Sequence, residues 1–402
     1  MSNPFLVDTA KPGHGLIHLA LLPPSTPRLK TTSYQYPLKL ISPAPSRTEG
    51  DARHLIHTVY LLTYGGGLVA GDAIELTVIL EPTTRLILLT QGSTKLFKSP
   101  SPEVVSKQCT TTTIAPGSVL CYLPDPVQPF EHSCFEQSQD YHVTVPSAGS
   151  EKPGNLCVLD WVCNGRQANG ENWSFHRYAS RNEVYLCMSD GKRRLLLRDN
   201  ILLDRNDIEG NVASRMHSLA VFGTLILYGP LFQSLGQFFM MEFKALSRLG
   251  GRKWDSGSDC GEEEVDPAII RRVQRQRQES TDGVLWSAAS VRGCVVVKFG
   301  APTVEGGKQW LHSILTHEGT VVVLVDVDFY GTQECANGSS SCTQMVSVPQ
   351  QYRRGHVVDA QFSNEPNTRE MAHIESLSLG IVDHPREQRK GKPHHAAKSE
   401  NI

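Results

Sequence analysis

The chain has 402 residues, 39% of them hydrophobic and 20% charged, which is enough apolar content for one large core or two modest ones and too much for disorder throughout. Its 39 Lys and Arg against 41 Asp and Glu leave a formal net charge of -2, so there is no basic excess to neutralise nucleic acid or an anionic membrane. Gly at 33 and Pro at 24 place a strong turn-former at about one residue in seven, a density that suits short strands better than long helices.

The N-terminus lacks the charged start and apolar run of a secretory signal, and no stretch reaches about 18 uninterrupted apolar residues. A cytoplasmic protein with no membrane contact is expected. The ten cysteines are scattered with no CxxC pair, so buried free thiols are expected rather than a zinc site.

From residue 55 onward the chain reads as strands. Ile74, Leu76, Val78 and Leu80 alternate with Glu75, Thr77 and Ile79, the period of two expected where one sheet face is buried. Residues 86–89 form a continuous apolar run that suits a strand covered on both faces, and similar runs recur at 119–123, 141–145 and 156–161. Residues 183–188 and 194–197 flank Asp190-Gly191, a hairpin signature, because that dipeptide accepts the positive φ angles of a tight turn.

A helix is predicted over 230–249, opened by Pro230 and stopped by Gly250-Gly251, and a second, shorter one over 309–317. Residues 252–280 are nearly all polar, an acidic block followed by a basic one, and read as a charged flexible insertion. Strands resume at 293–299 and 320–330. Beyond residue 330 a low-complexity, disordered C-terminal extension over 331–402 is expected, and its His384, His394 and His395 read as part of a solvated tail. The predicted fold class is therefore mainly β, in a stacked-sheet, β-helix-like or sandwich-like architecture with two short helices.

The glycine run at 65–67 lacks the Lys-Ser or Lys-Thr of a phosphate loop and precedes a strand rather than a helix, which argues against nucleotide binding. No GxSxG elbow, HExxH motif or supported Ser/His/Asp set is present. A carbohydrate-active enzyme on a strand-stack scaffold, with Asp160 and Glu171 as paired carboxylates and Trp161 and Trp173 as a platform, is the competing reading.

Five stretches taken together resemble the urease accessory protein D (UreD) family. They are residues 33–40, residues 65–72 with Glu75, residues 90–97, Leu123 to Pro126 with Pro129 and Phe130, and Gly165-Arg166 with Ala168, Gly170 and Glu171. They occur in the family's order over roughly residues 13–330, so a UreD-like domain over 1–330 is expected, interrupted by the 252–280 insertion.

The resemblance implies a non-enzymatic maturation scaffold for urease. Such a scaffold binds a UreF-like accessory protein, which recruits a UreG-like GTPase that carries nickel, and the assembly docks on urease apoprotein. It also implies transient Ni(II) passage with no tightly bound cofactor. Ni(II) lies high in the divalent affinity order, so a ring of His or Cys would hold it, whereas carboxylates and hydroxyls would let it leave. On that argument the nickel-path candidates are Asp72, Ser93, Thr94, Asp160, Glu171 and Asp199. Phe238, Phe239 and Phe243, on a helix too apolar for a single buried stripe, are the partner-binding candidates.

Overall fold

The computed structural model describes residues 11–23, 26–47, 55–146, 152–188, 190–205, 211–246 and 267–325. The 331–402 extension with its three histidines, and residues 252–266 of the charged insertion, lie outside them.

Alternation sets the strands. Ala73–Leu80 buries Ile74, Leu76, Val78 and Leu80 and turns Glu75 and Thr77 outward. Ser106–Ile114 alternates just as strictly, but it buries Ser106, Gln108, Thr110 and Thr112. These strands join a seven-stranded sheet, ordered Arg193–Asp204, Arg177–Cys187, Cys134–Thr144, Ser106–Ile114, Ala73–Leu80, His14–Leu22 and Thr26–Tyr34. The five inner strands run parallel, and an antiparallel partner closes each side.

A nine-stranded sheet lies opposite. Its central strands, Leu55–Thr63, Arg85–Leu89, Val119–Tyr122 and Asn155–Cys163, are again parallel. Val221–Tyr228, Cys294–Ala301 and Leu285–Val291 extend it in antiparallel fashion. A small third sheet pairs Gly67–Leu68, Lys95–Leu96 and Gln128–Pro129. From residue 73 to residue 163 the chain visits the three sheets in a fixed rotation, so each circuit stacks on the one before. This is the stacked, β-helix-like arrangement expected. The predicted hairpin is present, with Cys187 opposite Arg193.

Two cores result. Between the large sheets lie Ile17, Val78, Leu88, Leu120, Tyr141 and Val158. On the far face of the nine-stranded sheet, Cys157, Leu159, Trp161 and Leu225 pack beneath helices that contribute Phe239, Trp310 and Ile314. Asn155–Cys163 is covered on both faces, and all nine of its residues are buried. Gly223 opposes Trp161, where a Cβ would come within 2.5 Å of the Trp161 Cβ and 2.9 Å of the Phe299 ring; glycine admits both aromatics. The seven described cysteines are free thiols.

The helices bring three corrections. The described part of the 230–249 prediction is a 3-10 turn, Pro230–Phe232, followed by the helix Gln233–Ala245, and the second predicted helix is longer than expected, Val304–Glu318. Thr303 caps that helix by accepting from the Gly306 amide, and Gly319 ends it at φ 90°. First, residues 320–325, read as strand from their β-branched content, form the helix Thr320–Val325; burial of Val321 and Leu324, three residues apart, outweighs strand propensity. Second, five helices rather than two stand among the described residues, including the short Val212–Met216. Third, the latter half of the 252–280 insertion is the packed helix Pro267–Thr281.

That helix buries charge. Arg275 and Glu279 face inward, Arg275 forms a close ion pair with Glu242, and Arg272 grips the same carboxylate at 2.8 Å. Glu279 accepts from the Trp286 and Trp310 indoles at 3.3 and 3.1 Å. Ile269, Ile270 and Val273 meanwhile point to solvent, so no apolar stripe marked this segment as packed. Burial pushes the Glu242 carboxyl up, but the two guanidinium groups outweigh it and hold it below the usual range.

Glu242→Ala should destabilise the fold by about 3–5 kcal/mol at neutral pH, since it removes the close partner of a buried guanidinium and leaves Arg275 only Glu279 and His317. The wild-type contribution is present above the ordinary carboxylate range and is lost as pH falls through the lowered folded value. Urea denaturation of both proteins across that range checks the size and the sign.

Candidate functional site: a polar seam between the large sheets

Parallel pairing aligns like positions of successive strands. On the inner face of the seven-stranded sheet, register places Gln108, Gln137 and Ser180 in one row and Thr110, Gln139, Asn182 and Asp199 in the next. From the opposite sheet, Asp160, Thr224 and Lys298 form a row across three antiparallel strands. All ten residues are buried, so a polar seam runs inside an otherwise apolar sandwich.

Asp160 ties the sheets together. Its Oδ2 accepts from Ser180 Oγ at 2.5 Å and Asn182 Nδ2 at 2.6 Å, and its Oδ1 accepts from Gln137 Nε2 at 3.2 Å. Lys298 Nζ donates to Asp199 Oδ1 in a second close contact across the sandwich. Burial pushes the Asp160 carboxyl above its ordinary range; the Ser180 and Asn182 hydrogen bonds oppose the shift, and the Asp199 charge adds to it.

Four oxygens of the seam, Thr110 Oγ1, Asn182 Oδ1, Asp199 Oδ2 and Thr224 Oγ1, have no hydrogen-bond partner among the described residues. Unsatisfied buried oxygens each cost about 1–3 kcal/mol, so the seam gives up stability where these four group together. Beside the seam lies a narrow cavity of about 20 Å³, lined by Thr90, Thr94, Gln108, Tyr122, Gln137 and Asp160 among others. That is room for about one water-sized particle. Among the described residues, no group of three or more His, Cys, Asp or Glu is placed to hold a metal ion.

Of the six nickel-path candidates, the structure brings three together. Asp160 and Asp199 belong to the seam, and Thr94 lines the cavity beside Asp160. Ser93 sits half-buried in the turn before Thr94. Asp72 closes its own turn, accepting from the Val69 amide at 2.8 Å. Glu171 is held by Arg166 in a close ion pair, and that guanidinium lies 3.7 Å over the Phe130 ring. Burial pushes the Glu171 carboxyl up, yet Arg166 outweighs it and keeps it low.

Sequence reasoning does not single out Gln108, Thr110, Gln137, Gln139, Ser180, Asn182, Thr224 or Lys298. In 106–114 both strand faces are largely polar, so no hydrophobic period marks which side is buried, and in 134–144 Phe135, Tyr141 and Val143 mark the buried face but leave Gln137 and Gln139 between them unannounced. Strict register between parallel strands was the one available signal.

Of the partner-binding candidates, Phe239 needs correction. Phe239 is 0% exposed and packs on Trp286 and Trp310, so it belongs to the core. Phe238 and Phe243 are half-buried, one edge-on to His317 and the other against Trp286. Met241 is the large apolar residue of this helix that reaches solvent. The carbohydrate-enzyme reading fails on burial: Trp161 and Trp173 are each 1% exposed and offer no platform, and Asp160 is enclosed.

The fold is thus a stack of largely parallel sheets enclosing a buried polar seam. Residues 14–322 match the UreD urease accessory protein family, and the chain belongs to that family. It is 28% identical to Urease accessory protein 4 of Cryptococcus neoformans, over 78% of this chain and 92% of that protein. It is also 28% identical to a ureD-like urease accessory protein of Schizosaccharomyces pombe, over 69% of this chain and 84% of that one. Identity to Urease accessory protein D of Arabidopsis thaliana is 33% over 48% of this chain and 61% of the plant protein. These relatives are named as accessory proteins and not as enzymes, in line with the expectation of no catalysis.

Asp160→Ala should cost about 2–4 kcal/mol, because Ser180, Asn182 and Gln137 lose their shared acceptor. Asp160→Asn should cost less. Because the folded Asp160 value is raised, the wild-type chain should lose stability as pH rises from the ordinary carboxylate range through that raised value, and Asp160→Asn should lose less of it. Thermal denaturation of the three proteins over pH 4–8 measures both effects.

Proposed function

We propose that this chain is a cytoplasmic scaffold that delivers nickel to apo-urease. It would bridge urease to a UreF-like accessory protein and, through it, to a UreG-like GTPase carrying the metal, and would hold Ni(II) only in passing. Family membership supports the maturation role, and the polar seam is the observation that carries the metal path. No helix among the described residues is long and apolar enough to cross a membrane.

The physical case rests on ligand strength. Amide and hydroxyl oxygens beside Asp160 would compensate in part for lost hydration without binding the ion tightly enough to trap it. Asp160 is suited to exchange: its raised proton affinity lets an arriving divalent cation displace a proton, and reprotonation then favours release. Lys298, which would repel a cation if unpaired, is neutralised by Asp199. For partner docking, Met240 and Met241 line an open groove of about 880 Å³ with Phe232 and Val295, on the helix singled out from the sequence.

The test is a double variant that keeps side-chain volume, Thr94→Val with Asp160→Asn. Nickel incorporation into urease should slow by about tenfold or more, equivalent to about 1.4 kcal/mol of barrier, while the accessory complex still co-purifies. Wild-type incorporation by this variant would remove the interior route.

A further inference from the structure

Two imidazoles stand together at the rim of the stack, away from the seam rows. His132 precedes the strand Cys134–Thr144, His176 precedes Arg177–Cys187, and their ring centroids are 5.0 Å apart at an interplanar angle of 43°. Backbone bonds continue the parallel ladder into these loops: the His132 amide donates to the Ser174 carbonyl at 3.2 Å, and the His176 amide donates to the Ser133 carbonyl at 2.9 Å. The rings are therefore brought together by fixed backbone rather than by chance side-chain drift.

The backbone at His132 has φ 61°, the left-handed region that histidine, asparagine and aspartate enter more readily than other non-glycine residues, and this fixes the direction in which its side chain leaves the loop. His132 is 41% exposed at its side chain, His176 is half-buried, and neither ring makes a hydrogen bond among the described residues.

Surrounding charge is mixed. Glu131 Oε1 lies 3.5 Å from His132 Nε2, and Glu103 and Asp204 favour positive charge near His176, while Arg205 disfavours it. Burial and the neighbouring His132 hold the His176 imidazole below its ordinary range.

We propose that His132 and His176 form a two-imidazole chelating site for a borderline divalent transition metal of the Ni(II), Cu(II) and Zn(II) group. Imidazole nitrogen suits these ions and not Mg(II) or Ca(II). With two protein ligands the remaining coordination positions stay open to water or to a ligand from another molecule, so the ion is held exchangeably. The site goes beyond the nickel-delivery reading and does not depend on the interior route; its test reads metal bound to the chain, not urease activation.

The untagged full-length chain would be dialysed against Ni(II) alone, and separately loaded with Cu(II) for pulsed EPR. His132→Asn, which tolerates the left-handed backbone, and His176→Gln should each lose one bound Ni(II) equivalent and reduce the two-imidazole Cu(II) signature to one. His14→Gln, on a strand elsewhere, should leave both readings unchanged. In the wild-type chain, Ni(II) should protect His132 and His176 together from diethyl pyrocarbonate, a readout that needs no variant to fold. Unchanged stoichiometry in both variants, or equal modification of the pair with and without Ni(II), overturns the proposal.

Discussion

A carboxylate closed between two sheets is the constraint around which this fold is organised. Asp160 lies on the inner face of a strand buried on both sides, and burial disfavours its charge. It is tolerated because three donors from two strands of the opposite sheet reach it. Those donors arrive only if the parallel register is kept, since a slip of one residue would turn Ser180 and Asn182 to solvent and bring Ala179 and Arg181 inward. The seam thus specifies register at the same positions where it withholds apolar contact.

The outer sheet face and the helical layer follow a different logic. Apolar contact dominates beneath Gln233–Ala245 and Val304–Glu318, yet the Pro267–Thr281 helix is fastened by Glu242, Arg275 and Glu279. Removing one member of such a cluster costs more than the intact cluster gains, because a buried charge loses its partner. The cluster ties the Pro267–Thr281 helix to Gln233–Ala245.

Much of the architecture was legible in the sequence because alternation and short apolar runs are local signals. Residues 74–80 and 156–161 announced one-sided and two-sided burial respectively, and the Asp190-Gly191 turn announced its hairpin. Three features were not legible. Thr320–Val325 is helical through tertiary burial against its own propensity. Pro267–Thr281 hides its packing behind charged inward residues. The seam itself is assembled across strands far apart in the chain, so Asp160 and Asp199 could be named singly, but the company they keep could not. Asp72 and Glu171 illustrate the converse, since they lie in the stretches that resemble the family yet serve their own loops.

The account rests on the chain acting as a passive conduit and bridge for urease maturation. The most direct measurement is the nickel content of urease purified from a strain lacking this chain. The account predicts normal amounts of urease polypeptide with little nickel, restored when the chain is resupplied. Fully nickel-loaded, active urease from the deletion strain at ordinary nickel levels would contradict it.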